Sequence, residues 1–148
     1  MYKGIKRVYV ETSVISGMFD SNDHPVRSQP FWDAIINGNI RIIVSDVLEQ
    51  EIKAAPQYIR DFFAALPESQ MERIVSTYES NDLARRYILG RVIGQSSLDD
   101  CRHIALATIA HADALVSWNL KDIIKRREGY KNINRVLGYP EIEIQNPK

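Results

Sequence analysis

Short apolar runs, separated by longer amphipathic segments, set the pattern of the chain. Residues 6–11 and 40–45 are rich in β-branched side chains, which is typical of buried parallel strands. Ala114 to Trp118 is a third run of this kind. Met71 to Tyr78 and Glu141 to Ile144 predict two further strands, the second at a sheet edge. Strand candidates therefore occur along the whole chain.

Amphipathic helices are predicted between these strands, because apolar side chains recur there at helical spacing. The segments are Pro25 to Asn37, Asp46 up to Pro56, Tyr58 to Leu66, Asp82 to Ile93 and Ser97 to Ala112. Helices that alternate with single strands imply right-handed βαβ units and a parallel sheet covered on both faces. Since no linker, internal repeat or shift in composition interrupts the pattern, residues 1–148 are expected to form a single three-layer α/β domain.

Charge and composition narrow the function classes without choosing one. The chain has 19 Lys and Arg against 19 Asp and Glu, which argues against a protein that coats polyanions without specificity. Its single cysteine, Cys101, excludes an intrachain disulfide and a cysteine-based zinc site. No apolar run approaches ~18 residues and the N-terminus lacks a signal-peptide pattern, so we expect a cytoplasmic protein without membrane spans.

Acidic and amide side chains recur where a predicted strand ends or a helix begins. They are Glu11, Glu49, Glu51, Asp99, Asp100, Asn119 and Asp122. Because the carboxyl ends of parallel strands face one crevice, the fold would bring these groups together. Two carboxylates about 5 Å apart repel by roughly 3 kcal/mol at an effective dielectric near 20. An empty cluster therefore raises the pKa of one carboxyl, and a hard divalent cation relieves the repulsion.

Four short motifs occur at these places in the chain. Val8 to Ile15 is a strand followed by Glu-Thr-Ser, and Ser45 to Ile52 carries Glu51 in its second half. Asp100 to Ala107 begins with an aspartate, and Ser117 to Asn119 follows the last interior strand. Together and in this order, they resemble the motifs of the PIN domain family, and more narrowly those of VapC-like proteins of toxin–antitoxin systems.

The resemblance implies a PIN-like α/β/α sandwich with a mainly parallel five-stranded sheet. It also implies an endoribonuclease that depends on Mg²⁺ or Mn²⁺ and hydrolyses RNA phosphodiester bonds, with a small antitoxin as partner and a homodimer as the default assembly. Asp100 and Glu11 are expected to hold the metal ion. Glu51 is expected to bind the ion through water, or to act as the base that positions the attacking water.

Substrate contacts are expected beside these carboxylates. Asn119 and Ser117 are expected to orient metal-bound water or a phosphate oxygen, and Thr12 to stabilise its turn and contact the phosphate. The densest basic stretch of the chain begins directly after the site, and its charges either bind RNA phosphates or form an ordinary solvated face. The stretch contains Lys121, Lys125, Arg126, Arg127, Lys131 and Arg135.

Glu11 departs from the family pattern, which has Asp at this position. The extra methylene displaces the carboxylate by about 1.5 Å, and a shift of ~1 Å in an active site can cost ~100-fold in rate. Two interpretations stay open: a nuclease that accommodates Glu11, or a catalytically impaired PIN-like module acting through RNA or protein binding. A small-molecule phosphohydrolase is less favoured, because neither a nucleophile motif nor a glycine-rich phosphate loop follows the first strand.

Simpler roles are expected for several neighbouring residues. Asp46 is expected to cap the helix that it begins. Glu49 and Glu51 are placed on the same helix so that only one of them can face the crevice. For His103 a structural role is favoured over metal binding or proton transfer. Trp118 is expected to pack against an adjacent helix.

Overall fold

Five parallel strands form one sheet in the computed structural model, which describes residues 7–90 and 98–147. The five predicted strands are present, but each is shorter than expected, and the last begins at Ile144, where the predicted strand ends. They are β1 (Arg7–Val10), β2 (Arg41–Ser45), β3 (Met71–Ile74), β4 (Ala114–Val116) and β5 (Ile144–Gln145). In the spatial order β3-β2-β1-β4-β5, every neighbouring pair of strands runs parallel.

Helices cover both faces of the sheet, so the chain is the predicted α/β/α sandwich. They are α1 (Thr12–Ser16), α2 (His24–Ile36), α3 (Asp46–Lys53), α4 (Gln57–Ala64), α5 (Tyr78–Leu89), α6 (Leu98–Ile109) and α7 (Arg127–Leu137). The pattern does not predict α7, because its buried positions include a polar residue, Asn134. The predicted end of one helix at Ile93 and the predicted start of the next at Ser97 lie outside the described residues. Within the part that the structure describes, no helix is long and apolar enough to cross a membrane.

The core is divided in two by the sheet, since alternate residues of a strand face opposite sides. Tyr9, Ile43 and Leu115 pack against α5, α6 and α7. Val10 and Val44 pack on the other side, against α1, α2, α3 and α4. Both faces of the central strands are therefore buried, which explains their continuous apolar sequence.

The parallel register brings the ends of β1 and β4 side by side. Val10 is paired with Val116, and the Glu11 backbone N–H donates to the Val116 carbonyl at 3.2 Å. The residues that follow the two strands, Glu11 and Ser117, are therefore neighbours at the carboxyl edge of the sheet. β2 ends beside β1 on the other side, at Ser45.

Ser45, and not Asp46, caps α3, so the expectation for Asp46 is wrong. The Ser45 hydroxyl accepts from the Leu48 backbone N–H at 3.1 Å, and its extended backbone (φ −109°, ψ 166°) is that of a capping residue. Asp46 is already helical, and its carboxylate turns outward. It accepts from the backbone N–H and the hydroxyl of Ser76, both at 2.9 Å. Asp46 thus ties α3 to the segment after β3.

Candidate active site

Glu11 follows β1 and caps α1, and it is almost completely buried, with 5% of the residue exposed. One oxygen, Oε1, accepts from the backbone N–H of Ser13 at 3.2 Å and from the Ser13 hydroxyl. The same oxygen accepts from the Ser117 hydroxyl at 2.7 Å. Among the described residues Oε2 has no hydrogen-bond partner. Two serines therefore hold Glu11 by one oxygen and leave the other available.

The two serines are themselves held by the turn after β4. The Ser13 hydroxyl accepts from the Trp118 backbone N–H at 2.8 Å. The Ser117 hydroxyl accepts from the Asn119 backbone N–H at 2.9 Å. Ser117 is fully buried, so its hydroxyl lies inside this network and orients Glu11. Direct contact of Ser117 with substrate stays a prediction.

Glu51 projects from α3 towards the same edge, whereas Glu49 pairs with Arg73 at 2.9 Å on the surface. This confirms that only one of the two glutamates faces the crevice. Oε1 of Glu51 accepts from the Thr12 hydroxyl at 2.6 Å and bonds to Nε2 of His103 at 2.6 Å. Thr12 therefore bonds to Glu51 in the structure, and its predicted contact with phosphate remains untested.

A buried chain of hydrogen bonds supports Glu51 from behind. His103 is fully buried, and its Nδ1 lies 2.7 Å from the Tyr9 hydroxyl, which lies 2.6 Å from the Ser45 hydroxyl. All these groups are satisfied if the Leu48 N–H donates to Ser45, Ser45 to Tyr9, Tyr9 to Nδ1 and Nε2–H to Glu51. Both ring nitrogens are then occupied, which agrees with the structural role expected for His103.

Hydrogen bonding and nearby charge oppose the effect of burial on the pKa values of His103 and Glu51. Burial alone lowers the pKa of His103, but the hydrogen bond to Glu51 and the nearby carboxylates outweigh it and raise that pKa. Burial raises the pKa of Glu51, yet its bonds to His103 and Thr12 prevail, so the pKa of Glu51 is lowered. Glu51 is consequently held as a carboxylate in a fixed direction.

Asp100, in the first turn of α6, lies in the field of the other acids. Burial and then the charge of Glu11 raise the pKa of the Asp100 carboxyl from 3.8 to about 6, with smaller contributions from Asp122 and Glu51. The Asn119 side-chain amide donates to Asp100 at 3.5 Å, and its oxygen accepts from the Asp122 backbone N–H at 3.0 Å. Asn119 is therefore both a turn residue and a neighbour of Asp100.

The donor set fits a hard divalent cation held mainly by water and two carboxylates. In residues 7–90 and 98–147, no group of three or more His, Cys, Asp or Glu side chains is arranged to hold a metal ion. Mg²⁺ does not require one, because it keeps several waters and binds one or two carboxylates. The free oxygen of Glu11 and the Asp100 carboxylate, whose pKa is raised first by burial and then by the charge of Glu11, match this need.

The basic residues that are predicted to contact phosphate follow the Asn119 turn and lie on the surface. Four basic residues there are exposed and form no ion pair within the described part of the chain: Lys121, Lys125, Arg126 and Arg127. Lys131 and Arg135, further along, are instead paired with Glu143 at 3.4 Å and Glu141 at 2.8 Å. The first group remains available for a polyanion, and the second belongs to an ordinary charged surface.

Trp118 packs against α2, as expected. Its indole N–H donates to the Ser28 hydroxyl at 2.9 Å, and the His24 ring stacks on it with centroids 4.1 Å apart. The Arg27 guanidinium lies 5.1 Å from the same ring. These contacts anchor the segment that carries Ser117 and Asn119.

Sequence reasoning missed the residues that support the site. The sequence pattern predicts no role there for Tyr9, Ser13 or Ser45, and it does not identify the partners of His103. One signal was present, since a tyrosine between two valines of a buried strand needs a partner for its hydroxyl. That partner is His103, which lies 94 residues further along the chain.

The sequence matches no protein-family model and no curated protein sequence. Among solved structures, the crystal structure of VapBC2 from Rickettsia felis, bound to a DNA fragment from their promoter, contains a similar chain. The two align with a TM-score of 0.61 over 95% of this chain and 98% of the other, at 16% identity. The chain has a PIN-like fold. At this identity the likeness concerns the fold, and the activity has to be argued from the site.

Proposed function

We propose that the protein is a metal-dependent endoribonuclease that hydrolyses RNA phosphodiester bonds. The proposal rests on one observation: Glu11, Glu51, Asp100 and Asn119 meet at the carboxyl edge of a PIN-like sheet. Carboxylates in such a crevice, one of them with its pKa raised to about 6, are better explained as ligands of a divalent cation than as ordinary solvated surface groups.

Each side chain takes a separate role in this proposal. Glu11 and Asp100 would hold Mg²⁺ or Mn²⁺, which lowers the pKa of bound water and neutralises charge on the scissile phosphate. Glu51, fixed by Thr12 and His103, would position the attacking water or contact the ion through water. Asn119 would orient water or a phosphate oxygen. The exposed cations after the Asn119 turn would bind neighbouring phosphates.

The biological setting follows from the same resemblance and is part of the proposal. VapBC2, the similar structure, is a complex bound to promoter DNA. We propose that this chain acts as a toxin in the cytoplasm, restrained by a small antitoxin, and that it forms a homodimer. Co-purification of the chain with the product of an adjacent small gene would support the antitoxin partner.

Cleavage of single-stranded RNA with Mn²⁺, before and after Asp100→Ala, tests the activity. We expect the variant to lose about 100-fold or more in rate. Metal-dependent cleavage that survives Asp100→Ala would refute the assignment. Thermal unfolding gives a second readout that does not depend on activity, since a ligand at ~100 Kd stabilises the folded state by about 2.7 kcal/mol. That gain should appear in the wild type and not in Asp100→Ala.

An impaired PIN-like binding module is the second candidate, and the substitution at position 11 motivates it. The contacts of Glu11 favour a working site instead, because Ser13 and Ser117 fit the longer side chain. We therefore expect Glu11→Asp to lower the cleavage rate about tenfold or more. A large gain in cleavage by Glu11→Asp would support the impaired module.

A further inference from the structure

A cavity of about 380 Å³ opens beside the carboxylates, and Glu51 forms part of its wall. Its other walls come from α3, α6 and the segment from Ser76 to the start of α5, so it lies to one side of Glu11 and Asp100. We call it the side cavity. Its volume is in the lower part of the range of small-ligand sites, roughly 300–1,000 Å³, and suits a single nucleoside.

The charge of the side cavity argues against a phosphate. Three carboxylates line it, from Asp46, Glu51 and Asp99, against one guanidinium, from Arg102. Arg102 is already paired with Asp99 at 3.1 Å. An anion would be repelled, whereas a cation or a neutral group with hydrogen-bond donors would be attracted.

Amide side chains add to the polar lining without adding charge. Gln50 and Asn81 both face the side cavity, and each offers a donor and an acceptor. Such a wall suits the edge of a nucleobase, which presents donors and acceptors in one plane.

Asp46 supplies a fixed acceptor at this wall. Its Oδ1 accepts from the Val47 backbone N–H at 3.0 Å, and from the backbone N–H and hydroxyl of Ser76 at 2.9 Å each. Its Oδ2 has no hydrogen-bond partner among the described residues. Three bonds thus immobilise the carboxylate, and its second oxygen remains an acceptor. An exocyclic amino group of a base is the donor that such an oxygen recognises.

We propose that the side cavity binds a nucleobase carrying an exocyclic amino group, and that Asp46 selects cytosine over uracil there. The two bases differ at one position, where cytosine has an amino donor and uracil an oxygen acceptor. The proposal deepens the proposed function, on which it rests, because the base would belong to the RNA strand whose phosphodiester lies at Glu11 and Asp100.

Titration of the metal-free protein with cytidine and with uridine, followed by amide NMR spectra, tests the proposal. Cytidine should shift the amide resonances of Val47, Gln50 and Ser76, and should bind about tenfold more tightly than uridine. Asp46→Asn keeps an oxygen for the three internal donors and replaces Oδ2 by an amino group. The variant should therefore lose or reverse the preference for cytidine.

Asp61→Asn is the matched control, since Asp61 is an exposed carboxylate on α4 that bonds to Gln57 at 2.7 Å, away from the side cavity. It should keep the wild-type preference. Equal binding of the two nucleosides, or no change at the cavity amides with either, would overturn the proposal. Saturation by methylguanidinium when neither nucleoside binds would also overturn it, and would assign the side cavity to a basic side chain.

The titration needs no catalysis, so it separates this proposal from the proposed function. RNA cleavage with no preference for cytosine next to the cut would overturn the side-cavity proposal and leave the nuclease standing. Cytidine binding at the cavity amides, reversed by Asp46→Asn, would support the side cavity even if no RNA were cut.

Discussion

We expect Asp100 to destabilise the metal-free fold near neutral pH, and its replacement by Asn to remove that cost. Burial and the charge of Glu11 raise the pKa of the Asp100 carboxyl from 3.8 to about 6. A shift of about two units corresponds to about 3 kcal/mol before screening. The carboxyl is partly exposed, so solvent screening reduces the cost to about 1–2 kcal/mol. We expect Asp100→Asn to be more stable by this amount, or by about 3–6 °C in Tm.

The pH dependence of this gain has a defined sign. Below pH 3.8 the carboxyl is protonated in the folded and unfolded states, so the wild type carries no cost. Between pH 3.8 and about 6 the unfolded chain ionises first, which favours unfolding of the wild type. Above pH 6 both states are ionised and the cost is complete. The advantage of Asp100→Asn should therefore appear as pH rises through this window.

Urea unfolding in EDTA, measured across this pH range, checks the prediction. Asp99→Asn is the matched control, because Asp99 is exposed and paired with Arg102 at 3.1 Å, and its replacement should bring no gain. An Asp100→Asn protein no more stable than wild type near neutral pH would refute the reasoning. An equal gain below pH 3.8 would also refute it, by showing that ionisation is not the cause. Added Mn²⁺ should stabilise the wild type alone.

Two further predictions concern the support of Glu51 and the binding of phosphates. Tyr9→Phe, which removes the hydroxyl bonded to His103, should cost about 1–3 kcal/mol of stability and also slow cleavage. Tyr87→Phe removes a buried hydroxyl bonded to Asn134 at 2.5 Å, away from the site. Tyr87→Phe should lower the stability by a similar amount and leave the cleavage rate unchanged. If both variants slowed cleavage equally, the role of Tyr9 in supporting Glu51 would be contradicted. The last prediction concerns three exposed cations, Lys121, Lys125 and Arg126. Replacing all three by neutral residues should reduce the slope of the logarithm of the binding constant for single-stranded RNA against the logarithm of salt concentration by about 2. An unchanged slope would exclude these residues as phosphate contacts.

The sheet and its acidic edge were predictable because they depend on local patterns. Buried strands of a parallel sheet must be apolar on both faces, and the runs around Val8 and Ile43 have that character. Side chains that directly follow such strands must lie at the carboxyl edge of the sheet, independently of the conformation of the loops. The sequence alone therefore predicts that Glu11 and Asn119 lie near each other.

The chain of bonds behind Glu51 was not predictable, because each partner comes from a different element. Tyr9 lies on β1, Ser45 ends β2 and His103 lies on α6, and no spacing in the sequence relates them. Helix α7 was missed for a related reason, since Asn134 is buried by a bond to the Tyr87 hydroxyl rather than by apolar contact. Whether a polar residue is buried depends on which residues it bonds to in the folded chain, and a single sequence does not identify those partners.

Glu11 shows how the structure changes an inference drawn from one position. Taken alone, the extra methylene predicts a displaced carboxylate and a weakened site. In the structure, the carboxylate folds back over the start of α1, and Ser117 donates to it at 2.7 Å. An aspartate would withdraw the oxygen by about 1.5 Å, beyond hydrogen-bond range of that hydroxyl. The buried Ser117 hydroxyl would then lose its acceptor at 2.7 Å and keep only the Ser13 hydroxyl, 3.3 Å away, which weakens the fold by about 1 kcal/mol. The surroundings of position 11 thus fit glutamate better than aspartate.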